Sequence, residues 1–251
     1  VVYKGDQVGV VIPAYNEEGF IGDVIDSLPQ FVDKVFVIDD CSTDNTWTEI
    51  KEYVDAAVPQ AAVTDDSAEQ VVVADGAGTS VGTSQSFLDR RIIPVRHQTN
   101  GGRGAAVKTG YDLALMSDMD VVAVLDGDGQ MDPDILDRII DPVVEGEADY
   151  AKGNRLISRQ HCAQMSRWRL FGNVVLTLLT KVASGQWNMR DPQNGYTAIS
   201  AEALDELDID DLFDDYGFLN DVLIHLDRHG LTVQDVPMDA IYGDESSGIR
   251  Y

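Results

Sequence analysis

The sequence predicts an α/β fold, a single Rossmann-like domain with a mainly parallel central sheet flanked by helices. Three observations carry that expectation. Strand-length, mostly apolar runs occur at 8–12, 34–38 and 121–125. Each opens into a polar or acidic loop, and a helix-like stretch follows each of the first two loops. That alternation of strand, loop and helix is the pattern of βαβ units. The runs are continuously apolar, which suits strands buried on both faces.

Taken in order, the first strand, 8–12, is closed by Pro13, and Ala14-Tyr15-Asn16-Glu17-Glu18 leads into a helix from about 19 to 28. The second, 34–38, ends at Asp39-Asp40, and Ser42-Thr43-Asp44-Asn45-Thr46 offers several N-caps for a helix reaching about 54. The stretch 58–90, rich in Ala, Asp, Gly, Ser and Thr, breaks the rhythm. It reads as an insertion, a hairpin or a loop, with one apolar run at 71–74. A strand returns at 92–95, then a helix at 104–117, the strand 121–125 and a helix at 134–144. No repeat and no linker composition divides the 251 residues, so one domain is expected.

The formal charge of −26 is extreme, and Asp supplies 34 of the 44 acids while Lys is 6 of the 18 bases. Such self-repulsion is screened in molar salt, where the Debye length is about 3 Å. A salt-loving source accounts for it, and nucleic acid is excluded as a partner on the same ground. Cys41 and Cys162 have no metal-type spacing, and the four His are scattered, so neither a zinc site nor a disulfide framework is expected. No stretch reaches the ~18 apolar residues of a membrane span, and no signal peptide is visible. A cytoplasmic protein is the expectation.

The strand at 121–125 stops at Asp126-Gly127-Asp128-Gly129-Gln130. Two carboxylates and an amide oxygen at a strand end form a hard-oxygen site suited to Mg²⁺ or Mn²⁺ shared with substrate phosphates. An acidic loop in an acidic protein is the plainer account. The position favours the site, because open α/β sheets bind ligands at their strand ends. Asn100-Gly101-Gly102-Arg103-Gly104 lacks the third glycine of a dinucleotide fingerprint, and reads as a turn into a helix with a cation near a diphosphate or as a turn alone. Residues 150–190 contain no Asp or Glu, yet hold seven of the 18 bases. A helix around Trp168-Arg169-Leu170-Phe171 lies within them. It is either a buried helix with basic flanks or a surface that meets anionic head groups or a lipid phosphate. Asp191-Pro192-Gln193-Asn194-Gly195-Tyr196 is a polar turn. Tyr216-Gly217-Phe218-Leu219-Asn220-Asp221 opens another helix, with Asp221 in its first turn.

Together these motifs resemble inverting glycosyltransferases of family 2, which have the GT-A fold. The resemblance rests on Val10-Val11-Ile12-Pro13-Ala14-Tyr15-Asn16-Glu17-Glu18, Val37-Ile38-Asp39-Asp40-Cys41-Ser42-Thr43-Asp44, Asn100-Gly101-Gly102-Arg103-Gly104-Ala105-Ala106 and Asp126-Gly127-Asp128, in order over about the first 155 residues. Gln130, Gly153-Asn154-Arg155, Arg169-Leu170-Phe171-Gly172-Asn173 and the closing Val236-Pro237 with Ser246-Ser247 are similar to the polyprenol-phosphate hexosyltransferases. The resemblance implies a nucleotide-sugar site at Pro13, Ala14, Tyr15, Asn16, Glu17, Asp40, Gly102, Arg103, Asp126, Gly127 and Asp128. It also implies a metal, Mg²⁺ or Mn²⁺, at Asp126, Asp128 and Gln130, and acceptor-phosphate contacts from Arg155, Arg169, Gln193 and Arg250. Residues 1–155 would form the donor half and 156–251 the acceptor half. Where the family often has a base before its final Ser pair, this chain has Asp244 and Glu245.

The expected reaction is transfer of a hexose from a UDP- or GDP-sugar to a polyprenyl or dolichyl phosphate at the cytosolic membrane face, with inversion and with Asp126 and Asp128 at the reacting centre. A phosphate acceptor is already ionised and needs no strong base. A sugar or protein hydroxyl would need one, and Asp221 is the candidate for that alternative. A nucleotidyltransferase is disfavoured because the loop after the first strand is acidic, and a non-catalytic nucleotide-binding module is the remaining rival.

Overall fold

The computed structural model describes residues 2–57, 72–74, 88–155, 194–215 and 217–238. The expected helix around Arg169, with Gln193, Arg250 and most of the insertion at 58–90, lies outside the described residues.

The sheet has eight strands: β1 (Val8–Ala14), β2 (Lys34–Asp39), β3 (Val72–Ala74), β4 (Ile92–His97), β5 (Val121–Val124), β6 (Tyr150–Asn154), β7 (Thr197–Ser200) and β8 (Val233–Pro237). Their order is β3-β4-β2-β1-β5-β7-β6-β8. Every recorded pairing is parallel except those of β7, which runs antiparallel to both β5 and β6. The run at 71–74 is thus a parallel edge strand beside β4. The helices are α1 (Ile21–Ser27), α2 (Thr46–Ala57), α3 (Arg103–Met116), α4 (Leu136–Val144), α5 (Ala201–Glu206) and α6 (Phe218–His229).

Alternation along the central strands builds two cores. Val8, Val10 and Ile12 of β1 with Val121, Ala123 and Leu125 point to the face covered by α1, α2 and α4. Val11, Val122 and Val124 point to the face covered by α3, α5 and α6. This is why those strands read as unbroken apolar runs. β1 continues through Pro13 to Ala14, two residues past the expected end. The Pro13 carbonyl accepts from Gly127 N–H, so the ring nitrogen faces the side where β5 has already ended, and no ladder bond is lost there.

β6 and β8 are strands that the sequence does not announce. Tyr150-Ala151-Lys152-Gly153-Asn154 carries polar side chains that the fold satisfies internally. Lys152 Nζ, 1% exposed, lies 3.1 Å from Asp235 Oδ1 at ion-pair distance without hydrogen-bond alignment, and Asn154 Nδ2 donates to Asp235 Oδ2 at 2.7 Å. No helix among the described residues is long and apolar enough to cross a membrane.

Candidate active site

The sheet changes direction of travel at β1. The chain leaves its C-terminal end toward β2 on one side, and β5 joins it on the other. Ligands of open α/β sheets collect outside such a switch point, and a cavity of about 620 Å³ lies there. That volume is in the range of small-molecule sites.

One wall is the β1–α1 loop. Its backbone is fixed by the β2–α2 loop, residue by residue. Asn16 N–H donates to Ser42 Oγ, Glu17 N–H to Thr46 Oγ1, Glu18 N–H to the Asp44 carboxylate and Gly19 N–H to Glu49. Asn16 adopts φ +58°, a left-handed conformation that Asn tolerates, and its side chain accepts from Thr43 N–H. Asp44 also accepts from Thr46 N–H and its hydroxyl. Burial opposes the Asp44 charge, but these donors outweigh it and hold the carboxyl below its ordinary value. Stitched this way, the loop presents Pro13, Ala14, Tyr15 and Glu17 to the cavity, with Tyr15 46% exposed.

Asp40 follows β2 and is nearly buried at the cavity floor. Its carboxylate accepts from Gly101 N–H at 2.9 Å, Gly102 N–H at 2.8 Å and His97 Nδ1 at 2.7 Å. The glycine-rich turn is therefore anchored on Asp40. Gly102 has φ +91°, and Gly104 opens α3 against the 213–215 loop. Ala105 N–H donates to the Asp214 carbonyl, and Lys108 Nζ reaches the carbonyls of Asp210 and Leu212 and the Asp214 carboxylate. This close approach carries Asp215, Phe218 and Leu219 to the cavity wall.

The loop at the end of β5 holds the paired carboxylates. Arg103 Nε and Nη2 lie 2.8 and 2.6 Å from Asp126 Oδ1, and Nη2 also donates to the Gly195 carbonyl. Burial works against the Arg103 charge, yet the Asp126 carboxylate outweighs it and holds the guanidinium more firmly protonated. A Cβ at Gly195 would meet the end of the Arg103 side chain and the second Asp126 oxygen, so a larger residue there would push this ion pair aside. Asp128 also lines the cavity, and its Oδ1 accepts from Gln130 N–H. Below Arg103, Tyr111 and Tyr150 are buried and stay neutral phenols; burial pushes Tyr150 up to about 12.

The structure thus brings Pro13, Ala14, Tyr15, Glu17, Asp40, Gly102, Arg103, Asp126 and Asp128 to one cavity. Asn16 and Gly127 support its walls without lining it. Gln130 is exposed, outside the lining, and its backbone N–H donates to Asp128. Asp221 is not in the lining. Its Oδ2 accepts from Phe213 N–H at 3.0 Å, and His225 is 3.9 Å from Oδ1. Arg155 follows β6, outside the lining. Asp215, Phe218 and Leu219 are lining residues that the sequence did not single out. Their only signal was the run of glycines that lets their loop approach.

Asp126 and Asp128 fit a hard divalent cation. Among the described residues no group of three or more His, Cys, Asp or Glu gathers around one point. Two carboxylates are a partial shell, which suits Mg²⁺ or Mn²⁺ completed by water and substrate phosphates rather than an all-protein cage.

An α/β switch-point cavity lined by paired Asp and by an acidic, aromatic loop defines a glycosyltransferase of the GT-A type. The chain belongs to glycosyl transferase family 2, whose model matches residues 9–208. It is 27% identical over 238 residues to the UDP-N-acetylglucosamine–dolichyl-phosphate N-acetylglucosaminyltransferase of Methanococcus voltae, covering 94% of this chain and 86% of the relative. It is also 27% identical over 235 residues to the polyprenol monophosphomannose synthase of Mycolicibacterium smegmatis, covering 91% and 75%. Among solved structures it is similar to glucosyl-3-phosphoglycerate synthase of Mycobacterium tuberculosis in complex with Mn²⁺, UDP-glucose and phosphoglyceric acid. The TM-score is 0.62 at 21% identity, over 96% of this chain and 73% of that one.

Proposed function

We propose that the protein transfers a hexose from a nucleotide-sugar to a polyprenyl or dolichyl phosphate at the cytosolic membrane face, using Mg²⁺ or Mn²⁺. The observation that carries the reading is the make-up of the cavity lining. Tyr15, Glu17 and Asp40 suit a nucleoside, and Arg103, Asp126 and Asp128 suit a diphosphate. The relatives named for dolichyl-phosphate and polyprenol acceptors support the acceptor class.

A divalent cation at Asp126 and Asp128 would neutralise the charge that gathers on the departing diphosphate. Tyr15, exposed on a pinned loop, offers a face for the base to stack on, and the shape of the cavity orients the donor. Arg103 takes part of the Asp126 charge and keeps the carboxylate turned inward. The acceptor approaches from the side of Asp215, Phe218 and Leu219, where two apolar side chains exclude water. A lipid phosphate arriving there already carries the charge that attacks the anomeric carbon, and no proton needs to be removed.

A hydroxyl acceptor remains the second reading, and it now rests on Asp215, because Asp221 is turned to Phe213 N–H. The test uses purified protein in molar salt with Mn²⁺ and each common nucleotide-sugar. Polyprenyl phosphate is supplied in one arm and sugar alcohols in the other. Glycolipid formation that survives Asp215→Asn within a few-fold supports the phosphate acceptor. Transfer only to hydroxyls, abolished by Asp215→Asn, would establish the second reading.

A further inference from the structure

His97 ends β4 with its imidazole 1% exposed, between two parts of the structure that shape the cavity. Nδ1 is 2.7 Å from Asp40 Oδ1, and Nε2 is 3.0 Å from the Thr109 hydroxyl on α3. The ring is therefore held from both sides, by Asp40 after β2 and by Thr109 on α3. Both Asp40 oxygens also accept backbone N–H groups, from Gly101 and from Gly102. A carboxylate oxygen 2.7 Å from Nδ1 is the acceptor of an imidazole N–H on that nitrogen.

We infer that His97 is a positioning residue for the donor site. Its Nδ1–H donates to Asp40 at the cavity floor and holds that carboxylate where it accepts from the Gly101–Gly102 turn. A buried carboxylate that loses a donor is costly. The turn that Asp40 anchors leads directly into Arg103, which pairs with Asp126 at 2.6 Å. One line of contacts thus runs from His97 through Asp40 and the glycine turn to the paired carboxylates. The inference rests on the reading of that cavity as a nucleotide-sugar site, but its first two tests need no ligand.

Long-range nitrogen–proton NMR of the intact protein at neutral pH should show a hydrogen on His97 Nδ1. A bare Nδ1 overturns the hydrogen bond to Asp40. In folded His97→Phe, which keeps a ring but no donor, amide exchange at Gly101 and Gly102 should quicken by about tenfold or more, the scale of losing one hydrogen bond to a charged group. Exchange in α4, on the other face, should not change. Unchanged exchange at both glycines overturns the positioning role. Calorimetry and kinetics with a nucleotide-sugar and Mn²⁺ then give the split. The donor dissociation constant and KM should rise about tenfold, while kcat at saturating donor stays within about threefold. Equal loss in kcat with unchanged KM contradicts the inference. Failure of the wild-type protein to bind any nucleotide-sugar would sink the donor reading instead, while the NMR and exchange results still decide the role of His97.

Discussion

Gly104→Ala tests how the acceptor wall is held. A Cβ built on Gly104 lies 2.6 Å from the Asp214 carbonyl oxygen and 2.7 Å from its carbon, where ordinary contact begins at 3.4 Å. The nearest atom is the Phe213 carbonyl oxygen at 2.5 Å, so the 213–215 loop must retreat by about 0.9 Å to reach ordinary contact. It cannot do so freely, because Ala105 N–H and Lys108 Nζ both hold it. Overpacking of this kind costs about 1–3 kcal/mol. Alanine returns less than about 1 kcal/mol through helix propensity, since Gly104 sits in the first turn. The net is a loss of about 1–2 kcal/mol, or roughly 2–8 °C in Tm for a chain of this length. Thermal unfolding in molar salt measures it. Lys108→Met should be non-additive with Gly104→Ala by at least about 0.5 kcal/mol, because both act on one loop. A Tm unchanged within a degree, with strictly additive effects, would refute the idea that this contact sets the loop.

Lys152→Met removes the buried cation beside the Asp235 carboxylate. Losing one partner of a buried pair costs about 3–5 kcal/mol, and Asp235 is 16% exposed at its side chain, so the low end is expected in a chemical-denaturation series. Asp44→Asn should destabilise by about 1 kcal/mol or less near neutral pH, discounted because Asp44 is only partly buried. The folded-state value of Asp44 lies below 3.8, so its contribution is present above the ordinary carboxylate range and fades as pH falls through the lowered value. Melts of wild type and Asp44→Asn should therefore converge in acid; a gap that widens in acid contradicts the sign.

The parts of the site legible in the sequence are those where a local signal and a position coincide. Asp126 and Asp128 were legible because an unbroken apolar run can only be a strand covered on both faces, and its end is where ligands bind. Tyr15, Glu17 and Asp40 followed from two further strand ends. What was hidden depends on long-range contacts. Asp215 reaches the cavity because Gly102 and Gly104 let a loop from the far half of the chain touch α3, and no local pattern records that approach. His97 looked like one scattered histidine until Asp40 and Thr109 closed on both its nitrogens. β6 and β8 were masked by Lys152, Asn154 and Asp235, polar residues that satisfy one another inside the fold. Asp221 sat correctly in the first turn of α6, but a backbone amide, Phe213 N–H, takes its carboxylate.

Calorimetric titration of UDP- and GDP-sugars into the protein with Mn²⁺ tests the donor site most directly, with Asp128→Asn and a chelator as the paired controls. The account predicts that at least one donor binds in the micromolar to millimolar range, and that both the chelator and Asp128→Asn weaken it at least tenfold, about 1.4 kcal/mol. Donor binding that neither control alters would contradict the assignment of Asp126 and Asp128 to the metal and diphosphate.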